Sequence, residues 1–117
     1  MIHLTLPLPP SSNNAYINVP GKGRAPSTAH ENWKLVASTI AKGQHKKAGS
    51  PILPAKKPYK LSIRVNIDHK SDIANREKLL TDMLVAAGIL PDDCWVSELN
   101  IYRDRTINGV VVTAEAL

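Results

Sequence analysis

Alternating apolar and polar positions open the chain. Ile2, Leu4 and Leu6 are separated by His3 and Thr5, the period of a strand with one buried face. Pro7, Pro9 and Pro10 end it, because proline has no amide hydrogen to give a ladder. Residues 11–26 mix Asn, Gly, Pro and basic residues without a period, which predicts a long loop. Ser27 or Thr28 then offers an N-cap, and Glu31 lies three positions beyond Thr28, as in a capping box. Trp33, Val36, Ala37 and Ile40 follow at helical spacing and predict a helix over residues 29–43. Residues 43–58 hold four lysines among Gly and Pro and read as a basic loop.

The second half is more regular. Tyr59, Leu61, Ile63, Val65 and Ile67 predict a strand over residues 59–67. Leu79, Leu80, Met83, Leu84 and Ala87 form the apolar face of a helix expected over residues 72–87, with Gly88 as its C′ residue. Residues 89–93 read as a turn. Strands are expected over 95–103, with Val96, Leu99 and Ile101, and over 109–114. Asn108-Gly109 is a hairpin dipeptide that would join these two. The order β-α-β-α-β-β implies an α/β (α+β) fold: a single small domain, residues 1–117, with a mixed sheet and two helices packed against it.

At 117 residues, one domain of this kind buries about two-thirds of its unfolded surface, enough for a modest core. With two Trp, three Tyr and no Phe, aliphatic side chains must fill that core. Trp33 and Trp95 lie on apolar stripes and are expected inside rather than as stacking platforms. The single cysteine, Cys94, excludes an internal disulfide and a cysteine zinc site, and reads as a small buried hydrophobe. His3, His30, His45 and His69 lack metal-ligand spacing. No apolar run reaches membrane length and the N-terminus has no signal-peptide pattern, so an intracellular, cytoplasmic location is expected.

Charge narrows the partners. Fifteen Lys and Arg against ten Asp and Glu give +5, which suits a polyanion, since bound cations release the counterions condensed on phosphates. Lys22, Arg24, Lys42, Lys46, Lys47, Lys56, Lys57, Lys70 and Arg76 lie in or beside predicted loops and are candidates for phosphate contacts.

The chemistry concentrates between Asp72 and Asp93. Asp72 has an ordinary reading as an N-cap, Asp92-Asp93 as a turn after Pro91, and Lys78 as a solvated lysine beside Glu77. Together they suggest more. Carboxylates brought close repel unless a divalent cation lies between them, and oxygen ligands of this kind suit magnesium or manganese. On a continuous helix Lys78 would stand about 1.7 turns beyond Asp72, to one side, where an ammonium could meet a scissile phosphate.

Three segments carry a family resemblance: residues 6–16, Leu-Pro-Leu-Pro-Pro-Ser-Ser-Asn-Asn-Ala-Tyr; residues 72–78, Asp-Ile-Ala-Asn-Arg-Glu-Lys; and residues 88–93, Gly-Ile-Leu-Pro-Asp-Asp. They resemble the RusA family of phage-derived Holliday junction resolvases, whose pattern is Asp-x-Asp-Asn-x-x-Lys followed by Gly-x-x-x-Asp-Asp. The resemblance implies catalytic roles for Asp72, Lys78 and Asp93, and a metal site of Asp72 and Asp93 with Asp92 adjacent. Asn75 is the motif asparagine. Asn13, Asn14 and Tyr16 match the family's opening and join Asn75 and the basic residues as candidate DNA contacts. It further implies a bacterial or phage-encoded homodimer that uses Mg2+, with Mn2+ as substitute, and nicks four-way junctions in symmetric pairs. The reaction would be in-line attack by a metal-activated water, leaving a 5′ phosphate and a 3′ hydroxyl.

One position departs. Ala74 stands where the family has its second Asp, and alanine cannot ligate a metal, so catalysis is expected to be impaired. Either the change is a single deliberate replacement or the chain is a degenerate copy that still binds junctions. The intact Asp72, Asn75, Lys78 and Asp93 favour the former. Asp68 is an alternative oxygen donor. A non-cleaving binder of branched DNA or RNA, and a magnesium nuclease acting on flaps or RNA, are the competing functions.

Overall fold

The computed structural model describes residues 1–11 and 16–117. β1, Ile2–Leu6, keeps its expected bounds and buries Ile2, Leu4 and Leu6. The predicted loop over 11–26 instead contains a hairpin of β2, Tyr16–Val19, and β3, Gly23–Pro26. Its turn is made by Pro20-Gly21 and closed by the Lys22 amide donating to the Val19 carbonyl at 3.0 Å. Four-residue strands with mostly exposed side chains leave no apolar alternation to read, so only the Pro-Gly pair signals them.

α1, Thr28–Lys47, is four residues longer at its C-terminal end than predicted. Ser27 is its N-cap, its hydroxyl accepting from the His30 amide at 3.1 Å. Gly43 has no positive φ and does not stop the helix. The stop is Gly49 at φ 91°, where the Gly49 amide bonds the Lys46 carbonyl and the Ser50 amide bonds that of His45. His45, Lys46 and Lys47 therefore sit on the last helical turn, where cations favour the helix dipole, and not in a loop. The buried face of α1 also differs from expectation. Trp33 and Ala37 are buried with His30 and Ala41, whereas Leu35, Val36 and Ile40 are exposed.

β4, Tyr59–Val65, buries Tyr59, Leu61, Ile63 and Val65. The helix predicted from residue 72 is split. A 3-10 turn, Ile73–Arg76, comes first, held by the Asn75 amide bonding the Asp72 carbonyl at 3.2 Å. Arg76, at φ −118° and ψ −9°, breaks the spiral before α2, Glu77–Ala86. α2 ends as predicted at Gly88, φ 75°, with the Gly88 amide on the Val85 carbonyl and the Ile89 amide on that of Leu84. A second 3-10 turn, Asp93–Trp95, leads into β5, Val96–Arg103, and β6 is Val110–Ala116.

The four-stranded sheet has the order β1-β6-β4-β5. β5 runs parallel to β4, joined to it through α2 in a β-α-β crossover, while β6 lies antiparallel between β4 and β1. Asn108-Gly109 thus does not close a hairpin, because β4 occupies the position beside β6 that β5 would need. The 104–109 connection wraps the end of β4 instead. The Asn66 amide bonds the Gly109 carbonyl at 3.0 Å, and the Asn66 side chain donates to the Ile107 carbonyl at 2.7 Å. Gly109 is required there, since a Cβ would run into the Leu6 carbonyl.

One apolar cluster joins β1, β4 and β6 to Trp33, Ala37 and Ala41 of α1 and Leu79, Leu80, Met83 and Leu84 of α2. Full burial of a side chain such as Leu84 contributes roughly 1.5–3 kcal/mol. The Trp33 indole donates to the Pro7 carbonyl at 2.9 Å, fixing the segment after β1 to α1. At the β1 edge, Gln44 of α1 stands in for a neighbouring strand. It accepts from the Thr5 amide at 2.9 Å and donates to the Thr5 carbonyl at 2.7 Å.

Candidate active site

β4 starts on Tyr59, which is 1% exposed and whose hydroxyl donates to the Pro91 carbonyl at 3.0 Å. That bond ties the first residue of the strand to the turn before β5. Burial, then the charges of Asp93 and Asp92, push the Tyr59 pKa up to about 12. Asp92 caps the short turn that follows, accepting from the Cys94 amide at 3.1 Å. Cys94 is exposed rather than buried, because this turn lies at the surface between two carboxylates and Trp95.

Lys78, in the first turn of α2, reaches across to this turn. Its Nζ lies 2.8 Å from Asp93 Oδ2 and 3.1 Å from Asp82 Oδ1. The hydrogen bonds to Asp93 and Asp82 hold the Lys78 ammonium well above its ordinary pKa, and the same contact lowers that of Asp93. Lys78 is therefore a fixed cation between two carboxylates. Asp93 has a positive neighbour without any metal.

Asp72 is exposed, and its Oδ1 accepts from the Ala74 amide at 2.9 Å. Asn75 is half-buried in the same 3-10 turn. Arg76 donates through Nε to the Pro9 carbonyl at 2.9 Å, so it braces the post-β1 segment, and its buried Nη1 has no hydrogen-bond partner among the described residues. The loop before Asp72 is held from two sides. Asp68 Oδ1 accepts from the amides of Lys70 and Ser71, and Arg103 of β5 donates to His69 Nδ1 at 3.1 Å and to the Ser71 carbonyl at 2.7 Å. Asp68 Oδ1 thereby holds the loop's own turn.

The remaining candidates are spread over the β2–β3 hairpin, α1 and the loops. The Arg24 guanidinium is 5.2 Å from the centroid of the Tyr16 ring, which meets His30 edge-on at 5.2 Å. Lys22, Lys42, Lys46, Lys47, Lys56, Lys57 and Lys70 are exposed. Asn13 and Asn14 fall outside the described residues. Sequence reasoning missed Tyr59 and Arg103 as supports, since both read there only as strand residues, and a hydrogen bond spanning 32 positions leaves no local signal.

Three carboxylates do not meet. Among the described residues no group of three or more His, Cys, Asp or Glu side chains could hold a metal ion. Ala74 offers only its amide, to Asp72, and Asp93 is paired with Lys78. Magnesium demands near-octahedral oxygen ligation, so these residues do not fit a preformed metal cage.

A basic α+β domain with an acid–lysine cluster where α2 meets the turn into β5 has the make-up of a phosphodiester-handling protein. The family comparison makes this specific. The family model of endodeoxyribonuclease RusA matches residues 7–115, and the chain belongs to that family. Family membership means Holliday junction endonucleases acting on branched DNA, generally dependent on a divalent metal. No curated protein matches the chain. No helix among the described residues is long and apolar enough to cross a membrane.

Proposed function

We propose that this chain engages four-way DNA junctions as a homodimer and binds them more effectively than it cuts them. The contact that carries this reading is Lys78 to Asp93 at 2.8 Å, which joins two of the three motif groups across fifteen positions of sequence. The third, Asp72, lies exposed at the 3-10 turn just before α2. Two-fold symmetry supports the dimer, because a junction is nearly two-fold symmetric and paired nicks need one site per subunit.

Ala74 is the weak point. With an aspartate there, Asp72, position 74 and Asp93 would supply oxygen ligands of the kind Mg2+ takes, with Mn2+ as substitute and Asp92 adjacent. With alanine, Asp72 and Asp93 lack that third oxygen donor, and the Lys78 ammonium is shared between Asp93 and Asp82. Asn75, Tyr16, Lys22, Arg24, Lys46, Lys47, Lys70 and Arg76, together with Asn13 and Asn14, are the candidate DNA contacts. A basic protein that grips branched DNA or RNA without cutting is the second reading, favoured by the absence of a carboxylate cluster among the described residues.

Ala74→Asp separates the two. Incubated with Mg2+ or Mn2+ and a synthetic four-way junction, the variant is expected to give paired symmetric nicks where the parent chain binds and leaves the junction whole. An Ala74→Asp protein that binds the junction but never nicks it refutes the nuclease reading. Preference for flaps or RNA in the same assay refutes junction specificity.

A further inference from the structure

We propose that the groove between α1 and α2 holds the sugar–phosphate backbone of one DNA arm, with Lys34 and Lys42 as its phosphate contacts. The inference rests on the junction-binding reading above and assigns it a surface. Lys34, Ser38 and Lys42 follow one another at four-residue intervals, so they form a ridge along one side of α1. Together with Met83, Ala86 and Ala87 of α2 they enclose a hollow of about 180 Å³. A second hollow, about 100 Å³, continues it past Lys34 and Met83 to Leu79, Asp82, His30 and Tyr16. The two share Lys34 and Met83 and make one track, which ends under the Arg24–Tyr16 stack.

The charge along this track is left unbalanced. Lys34 and Lys42 are exposed, and neither takes part in an ion pair among the described residues, whereas Lys60, Arg64 and Lys78 each do. The one carboxylate lining the track, Asp82, is paired at 3.1 Å with Lys78, whose ammonium it shares with Asp93, so two lysines face a single carboxylate along the track. The wall facing the lysines is Met83, Ala86 and Ala87, small or apolar and without anions, which suits a sugar edge.

Spacing favours a polymer over a single anion. Eight residues of helix separate the two ammonium stems by about 12 Å. A duplex strand advances about 3.4 Å per phosphate along the duplex axis, so stems about 12 Å apart stand over different phosphates rather than one. The track also leads to Lys78 through Asp82, so an arm lying in it would arrive at the Asp93 end of the candidate active site.

The test is binding of a fluorescent four-way junction by anisotropy over a range of salt. Lys34→Gln/Lys42→Gln should lower the slope of log K against log salt by about 1.8, at roughly 0.9 per phosphate contact, and weaken binding at least about tenfold at 0.1 M salt. Lys60→Gln/Arg64→Gln removes the same two charges from the sheet face away from the helices and should cost less than half of that slope. Ala86→Lys, on the exposed opposite wall, should steepen the slope and tighten binding, a gain that no folding defect can mimic. Equal losses from the two double variants, or no effect of either Lys34→Gln/Lys42→Gln or Ala86→Lys, overturn the proposal. A parent chain that binds no junction overturns the junction reading itself, and the groove assignment with it.

Discussion

Replacing Tyr59 by Phe removes one hydroxyl from a residue that is 1% exposed, leaves the ring in place, and orphans the Pro91 carbonyl 3.0 Å away. A neutral hydrogen bond of this kind contributes about 1 kcal/mol. Near neutral pH the variant should therefore be about 1 kcal/mol less stable, with a melting point lower by roughly 4 °C for a domain of this size. The pH dependence is the sharper part. The tyrosine titrates near 10.0 when unfolded and near 12 when folded, so the folded state keeps a proton that the unfolded state gives up. The stabilisation is complete below pH 10 and is lost as pH rises toward the folded value. At pH 11 that linkage costs the parent chain about 1.4 kcal/mol, and the phenylalanine variant nothing. The two stability curves should cross between about pH 10 and 11. Urea denaturation of both proteins from pH 7 to 11, with unchanged m values, measures this directly. A stability difference that stays constant over the whole range refutes the burial of this hydroxyl and its bond to the turn.

The other expectations are briefer. Lys78→Met should raise the Asp93 pKa, which Lys78 now holds below the usual 3.8, as read by NMR titration of the carboxyl carbon. The stability from that contact is present above the unfolded pKa and lost as pH falls through the depressed folded one. With side chains 65% and 38% exposed it amounts to no more than about 1 kcal/mol. Gly109→Ala forces a Cβ at φ 64° against the Leu6 carbonyl and should cost about 2 kcal/mol or more by thermal denaturation. Ala74→Asp should convert junction binding into metal-dependent nicking, and Lys34→Gln/Lys42→Gln should flatten the salt dependence of binding.

How legible each element was follows from the range of the interactions that form it. β1 and β4 show clean alternation because one face of each is buried and the other is not. Gly88 and the face of α2 could be read for the same local reason. α1 was read half correctly: Trp33 and Ala37 are buried as expected, but Val36 and Ile40 stand at helical spacing yet remain exposed, while His30 and the small Ala41 are buried instead. Hydrophobicity marks what is able to be buried, not what the partner element has room for. The β2–β3 hairpin carries no such pattern at all, since it buries almost nothing.

The candidate site divides in the same way. Asp72, Lys78 and Asp93 are candidates the sequence itself offers, because motif spacing is a local property. That Lys78 meets Asp93 at 2.8 Å, and that Tyr59 anchors the turn, depends on contacts 15 and 32 positions apart. Strand order is the largest thing the sequence left open. Asn108-Gly109 is compatible with a hairpin, but pairing was decided by which strand could complete the hydrogen bonds of β4 on both sides. Parallel β5 took one edge through the α2 crossover, and β6 took the other. Caps, turns and periodicity are energies between near neighbours and can be read in order along the chain. Pairing, register and the choice of buried face are settled by competition among distant segments for the same desolvated surface, which only the folded molecule resolves.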